Sequence, residues 1–92
     1  MAHLIRDKDK LIARVRRMRG QLEAIERSLD NEAPCEETLQ LIASARGAMN
    51  GLMAEVLEGH IRYHVVGTVP DPASEDGRAV EQLVDIVRTY LK

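Results

Sequence analysis

Phenylalanine and tryptophan are absent from this 92-residue chain, and tyrosine occurs only twice. The large rings that usually dominate a core are therefore missing. The interior has to be assembled from Leu, Ile, Val, Met and Ala, a set that favours helices. Cysteine occurs once, at Cys35, which excludes a disulfide framework and suits a reducing compartment. No apolar run has the length of a signal peptide or a membrane span, so the expected location is the cytoplasm, with no membrane partner. Paired carboxylates in a recognisable site, a phosphate-binding loop and a nucleophile–base motif are also missing, and an enzyme is not expected. A chain this short makes one domain, 1–92, and buries only roughly 60–65% of its unfolded surface. A lone protomer is then marginal, and association with further copies is one standard remedy.

What the chain does have is helical patterning. In the first segment, from about Ile5 to Leu29, the residues Leu11, Val15, Met18, Leu22, Ile25 and Leu29 recur at steps of 4, 3, 4, 3 and 4. That is an amphipathic helix of near coiled-coil regularity. DNEAP, residues 30–34, ends it, because Asp and Asn favour turns and Pro34 disfavours helix just before it. A second segment begins near Cys35 or Glu36 and meets no breaker until Gly67. Its apolar positions are Leu39, Ile42, Met49, Met53, Val56, Leu57 and Ile61. Gly47, Gly51 and Gly59, with Ala43, Ser44, Ala45, Ala48 and Ala54, give it a smooth surface that a neighbouring helix could approach closely. GTVPDPASEDG, residues 67–77, reads as a loop. The third segment, from Ser74 or Glu75 to Leu91, places Val80, Leu83, Val84, Val87 and Leu91 at helical spacing, with Ser74 as its cap. The predicted fold is all-α, with three helices and a long central one. About 30 helical residues span about 45 Å, whereas a compact globule of this size has a radius of gyration of about 12 Å. The central helix must overhang its own monomer, and its far end needs cover from a partner chain.

The net charge of −2 hides an asymmetry. Residues 1–20 hold seven basic side chains against two acidic ones, so the rest of the chain carries −7. The densest run is RVRRMRG, residues 14–20. Helical spacing spreads Arg14, Arg16, Arg17 and Arg19 over the faces not taken by Val15 and Met18, and Lys10, Arg14 and Arg17 form one stripe. One reading is a solvated face partly paired with Glu23 and Glu26. The other is phosphate binding, since arginine forks match phosphate oxygens. Several copies would gather their arginines on a symmetric surface suited to duplex DNA. With no aromatic in the run, stacking on single strands is not expected.

HIRYH, residues 60–64, holds two of the chain's three histidines. His60 and His64 share a helix face and can chelate one metal ion; a surface or hydrogen-bonded pair is the alternative. A zinc protease of the HExxH kind is excluded, because Ile61 stands where the general-base glutamate would be. Cys35 lies 25 residues before His60, about 37 Å along one helix, so one protomer cannot supply both. Two antiparallel copies of the helix would bring Cys35 of one chain beside His60 and His64 of the other. Otherwise Cys35 is a lone buried thiol. His3 could join if the N-terminal arm folds over, and on chemistry alone it is a tail residue.

RVRRMRGQLEAIERSL (14–29), Cys35, LIASARGAMNGLMAEVLEGH (41–60) and VRTYLK (87–92) resemble the CsoR/RcnR/FrmR family of small bacterial repressors over essentially the whole chain. The resemblance implies helical protomers paired through antiparallel second helices, forming a disc-like homotetramer from homodimers. It implies binding to double-stranded operator DNA through Lys10, Arg14, Arg16, Arg17 and Arg19, and release of that DNA when an effector occupies the Cys/His positions. Copper sensors resemble a Cys–His–Cys pattern, and His64 here departs from it. Nickel/cobalt sensors resemble a His–Cys–His–His pattern, matched by His3, Cys35, His60 and His64, and HLIRDKDKL (3–11) also looks like their opening. Imidazole suits Ni(II) and Co(II). The expectation is that one of these ions binds His3 and Cys35 of one protomer with His60 and His64 of its partner, controlling metal efflux. Formaldehyde sensors are the alternative. Their chemistry resembles a methylene bridge from an N-terminal proline to the cysteine, and here Ala2 and His64 both depart from their pattern.

Overall fold

The computed structural model describes the backbone of residues 2–65, 71 and 73–91, and their side chains apart from residues 2, 3, 64 and 65. Among the described residues there is no strand. The helices are α1 (Ala2–Arg6), α2 (Lys8–Asp30), α3 (Cys35–His60) and α4 (Glu75–Tyr90), with a π-helical turn, Ile61–Val65, continuing α3. This is the predicted all-α chain with a long central helix, with two additions. The first predicted helix is broken at Asp7, and the second changes to π geometry through HIRYH. Of the predicted 67–77 loop, residues 67–70 and 72 lie outside the described residues, and 75–77 belong to α4.

The break at Asp7 lies beside a long-range contact. Asp7 sits at φ −97°, ψ 11°, a bridge conformation that ends one helix and starts the next, and its carbonyl accepts from the Leu11 amide at 3.0 Å. Just before it, Arg6 reaches across to the π turn. Its Nη2 donates to the Tyr63 hydroxyl at 3.0 Å, and its guanidinium lies 4.8 Å from the ring centroid, a cation–π contact. The short α1 is thereby held against the end of α3.

At the other end of α2 the chain reverses through a Schellman motif. The Ala33 amide donates to the Ser28 carbonyl at 2.9 Å, and the Glu32 amide to that of Leu29 at 3.1 Å. The motif requires a left-handed residue, and here that residue is Glu32, at φ 53°. A side chain in this region costs about 1–2 kcal/mol that glycine avoids. Glu32→Gly is therefore expected to stabilise the chain by about 1 kcal/mol after its extra unfolded-state entropy is counted, read as a higher melting temperature by calorimetry.

Pro34 then opens α3, its carbonyl accepting from the amides of Glu37 and Thr38 at 3.0 and 3.3 Å. Glu36 and Glu37 occupy the first turn, where negative charge is favoured by the helix dipole. The α2–α3 hairpin is pinned near its turn by a buried hydrogen bond of 2.7 Å between the Ser28 and Thr38 hydroxyls. Farther from the turn, Gln21 Nε2 donates to Ser44 Oγ at 3.2 Å. At the start of α4, Ser74 Oγ accepts from the Gly77 amide at 2.9 Å, the predicted cap. Val84 of α4 is fully buried. Arg88 Nη2 meets Glu58 at 2.6 Å, and Arg62 meets Glu58 at 3.3 Å and Glu81 at 2.7 Å, tying α4 to the end of α3.

The buried apolar residues among those described are only Met18, Ile61 and Val84. Leu39, Ile42, Met49 and Met53 of α3 are exposed, as are Val15, Leu22 and Leu29 of α2. The protomer measures 55 × 25 × 16 Å, with a radius of gyration of 17.1 Å, against about 12 Å for a compact chain of this length. Its amphipathic helices have more apolar surface than one protomer covers.

Candidate effector site and nucleic-acid interface

Cys35 opens α3 and His60 closes it, and both are exposed. The 3.6-residue period puts Cys35, Leu39, Ile42, Arg46, Met49, Met53 and His60 on one face. Every one of these residues is exposed. The thiol and the imidazole are therefore the two ends of a single exposed stripe, separated by the length of the helix. Met53 is exposed, and Val56 and Leu57 are half-buried beside it. Among the described residues no three His, Cys, Asp or Glu side chains of one chain come close enough to hold a metal ion. The side chains of His3 and His64 lie outside the described residues. Their backbone positions are on α1 and in the π turn. α1 packs on α3 of its own chain, so the Arg6–Tyr63 clasp connects the segment carrying His3 with HIRYH.

The basic run divides in two. Arg16, Arg17 and Arg19 are exposed and make no ion pair among the described residues; the partial pairing with Glu23 and Glu26 does not form. Lys10 and Arg14 instead turn towards α3. Lys10 Nζ lies 2.8 Å from Glu55 Oε1, and Arg14 Nη2 lies 3.6 Å from Glu55 Oε2. The Lys10 ammonium is held above its ordinary pKa chiefly by its hydrogen bond to that carboxylate, with Coulombic attraction adding to it. Arg14 passes over Gly51, where a Cβ would stand 2.7 Å from its Nη1. The close approach that the small residues of α3 permit is thus used here by a guanidinium. These groups line a cleft of about 490 Å³ together with Arg6, Glu58, Arg62, Tyr63 and Arg88.

Glu55 was not singled out by sequence pattern. An isolated glutamate on one helix carries no spacing signal towards cations on another. The hairpin register supplies that signal. With the reversal at residues 31–34, Lys10 and Arg14 are as far from the turn on α2 as Glu55 and Gly51 are on α3. The Arg6–Tyr63 clasp has no such marker, since its partners are 57 residues apart.

Residues 7–89 match the family model described as metal-sensitive transcriptional repressor. The chain is 49% identical over 92 residues, covering all of both chains, to an uncharacterised protein of the bioA 5′ region of Serratia marcescens. It is 41% identical, again over 92 residues and all of both chains, to the transcriptional repressor RcnR of Citrobacter koseri. Among solved structures it is similar to a glutamate-to-histidine variant of the formaldehyde-responsive regulator FrmR from Salmonella enterica serovar Typhimurium. That likeness has a TM-score of 0.63 and 44% identity, over 92% of this chain and 94% of the other. Such proteins are regulators rather than enzymes, and no described helix is long and apolar enough to cross a membrane. With its all-helical fold, exposed arginines and matched length, the chain belongs to the metal-sensitive transcriptional repressor family.

Proposed function

We propose that the protein is a DNA-binding repressor, active as a homodimer or homotetramer, that leaves its operator when Ni(II) or Co(II) binds. The observation that carries this reading is the stripe on α3 with Cys35 at one end and His60 at the other. A second copy laid antiparallel along it buries Leu39, Ile42, Met49 and Met53, and sets Cys35 of one protomer beside His60 of the other. The donor set is one soft thiolate with several imidazoles, which fits Ni(II) or Co(II) better than Cu(I), an ion that prefers more than one thiolate. The sequence reading grouped His3 with Cys35. The Arg6–Tyr63 clasp supports grouping His3 with His60 and His64 of the same protomer, with Cys35 coming from the second copy. A bound ion supplies a cross-link between chains. What the chain contributes is the basic helix α2, with Arg16, Arg17 and Arg19 open to phosphates and Lys10 and Arg14 available once they leave Glu55, and the contact of α1 and α2 with α3 that couples this helix to the ligand end.

Formaldehyde is the second reading, favoured by the FrmR relative and by the exposed Cys35 thiol. The deciding experiment titrates reduced, metal-free protein on its own upstream DNA and adds Ni(II), Co(II), Cu(I), Zn(II) or formaldehyde separately. Release by Ni(II) or Co(II) at low concentration is expected. Release by formaldehyde alone would transfer the proposal to the second reading, and DNA binding that does not weaken with salt would sink both.

A further inference from the structure

We propose that Glu55 is an internal brake on DNA binding: it holds Lys10 and Arg14 against α3, so that operator phosphates must displace it to reach them. The brake presupposes the reading of α2 as the DNA-contacting helix.

Three observations converge on this carboxylate. It sits on α3, half-buried, with Lys10 at 2.8 Å and Arg14 at 3.6 Å. Its Oε2 is shut off from solvent and makes no hydrogen bond, and the Arg14 guanidinium faces it at 3.6 Å as an ion pair without a hydrogen bond. One turn earlier, Gly51 provides a seat for the Arg14 guanidinium that no other residue type could leave open. Arg14 keeps only 31% of its side chain exposed, whereas Arg16, Arg17 and Arg19 stand clear.

The physical consequence concerns which cations meet phosphate without cost. Arg16, Arg17 and Arg19 can do so directly. Lys10 and Arg14 must first leave a carboxylate, which then takes up a counterion from solution. That uptake offsets part of the counterion release that drives binding to a polyanion. The Lys10 side chain is 71% exposed, and an ion pair open to water at one end is worth little, so the brake tunes affinity and does not block it. It also sits on the same helix as His60, five residues away, where any change in the seating of α2 on α3 alters its grip.

The test compares wild-type protein, Glu55→Gln and Gly51→Ala on the same upstream DNA, from 50 to 300 mM salt, with helix content and oligomeric state checked. Glu55→Gln is expected to tighten binding about two- to fivefold per engaged protomer, the range that an exposed ion pair supports. It should also steepen the plot of log K against log salt by up to about one unit per engaged protomer. Gly51→Ala displaces the far end of a flexible side chain and changes no charge, so a smaller gain of the same sign is expected. In a Lys10→Met/Arg14→Met background, compared at low salt, Glu55→Gln should have no effect. Unchanged or weaker binding by Glu55→Gln, or an equal gain in the background lacking both cations, would overturn the brake while leaving the DNA-binding reading intact. Wild-type protein that does not bind its DNA would overturn both.

Discussion

Replacing His64 by leucine is expected to leave operator binding at its wild-type strength while the response to Ni(II) or Co(II) disappears. The two activities separate because the basic side chains lie on α2, whereas residue 64 lies in the π turn beyond α3. Loss of an outer-shell partner already weakens metal sites about 10–100-fold, so loss of a ligand should exceed about 100-fold. Calorimetric titration of Ni(II) into free protein reads this directly, and fluorescence anisotropy on labelled DNA reads release. Cys35→Ser is expected to remove release by either effector class, since thiol chemistry underlies both readings. Because the thiol and the imidazoles must be deprotonated to bind, metal affinity in the wild type should fall as the solution is acidified. By linkage, bound DNA must weaken metal binding by the same factor as metal weakens DNA binding. A His64→Leu protein still released by nickel would remove that residue from the site.

Ile42→Glu should have the largest effect on assembly. In an antiparallel pairing that joins Cys35 to His60, Ile42 falls opposite Met53, and the two-fold axis repeats this contact. Ile42 is 45% exposed in the protomer, so the substitution has little to disturb within one chain. At a dimer interface it would bury two unpaired carboxylates, each costing on the order of several kcal/mol. Dissociation by more than about 1,000-fold is expected in sedimentation equilibrium, with DNA binding lost alongside. The same substitution leaving a full-sized oligomer would place the interface on another face.

Much of this fold was legible because its helices are written in local patterns. The 4–3 steps from Leu11 to Leu29, the stop at Pro34 and the cap at Ser74 each depend on neighbours in the sequence, and each matches the structure. The break at Asp7 was not legible, and neither was the contact beside it between Arg6 and a ring 57 residues away. Geometry beyond His60 was hidden for a related reason: an i,i+4 pair of histidines reads the same in an α-helix and at the edge of a π turn. The candidate ligands were visible as residue types, but the side chains of His3 and His64 lie outside the described residues, and Cys35 and His60 stand at opposite ends of α3. The basic run was read as one surface, and only the hairpin register divides it into three open arginines and two cations held by Glu55.

The elongated protomer gives protein abundance a thermodynamic role. Under the proposed antiparallel pairing, a chain with three buried apolar side chains among those described would draw much of its folding free energy from copies of itself. Mass action then makes the melting temperature climb with the logarithm of protein concentration. Under the same pairing, newly made chains without a partner would keep Leu39, Ile42, Met49 and Met53 in water and would open to proteases more often. Degradation would thus trim the pool to assembled molecules, so that copy number itself sets how much competent regulator a cell holds.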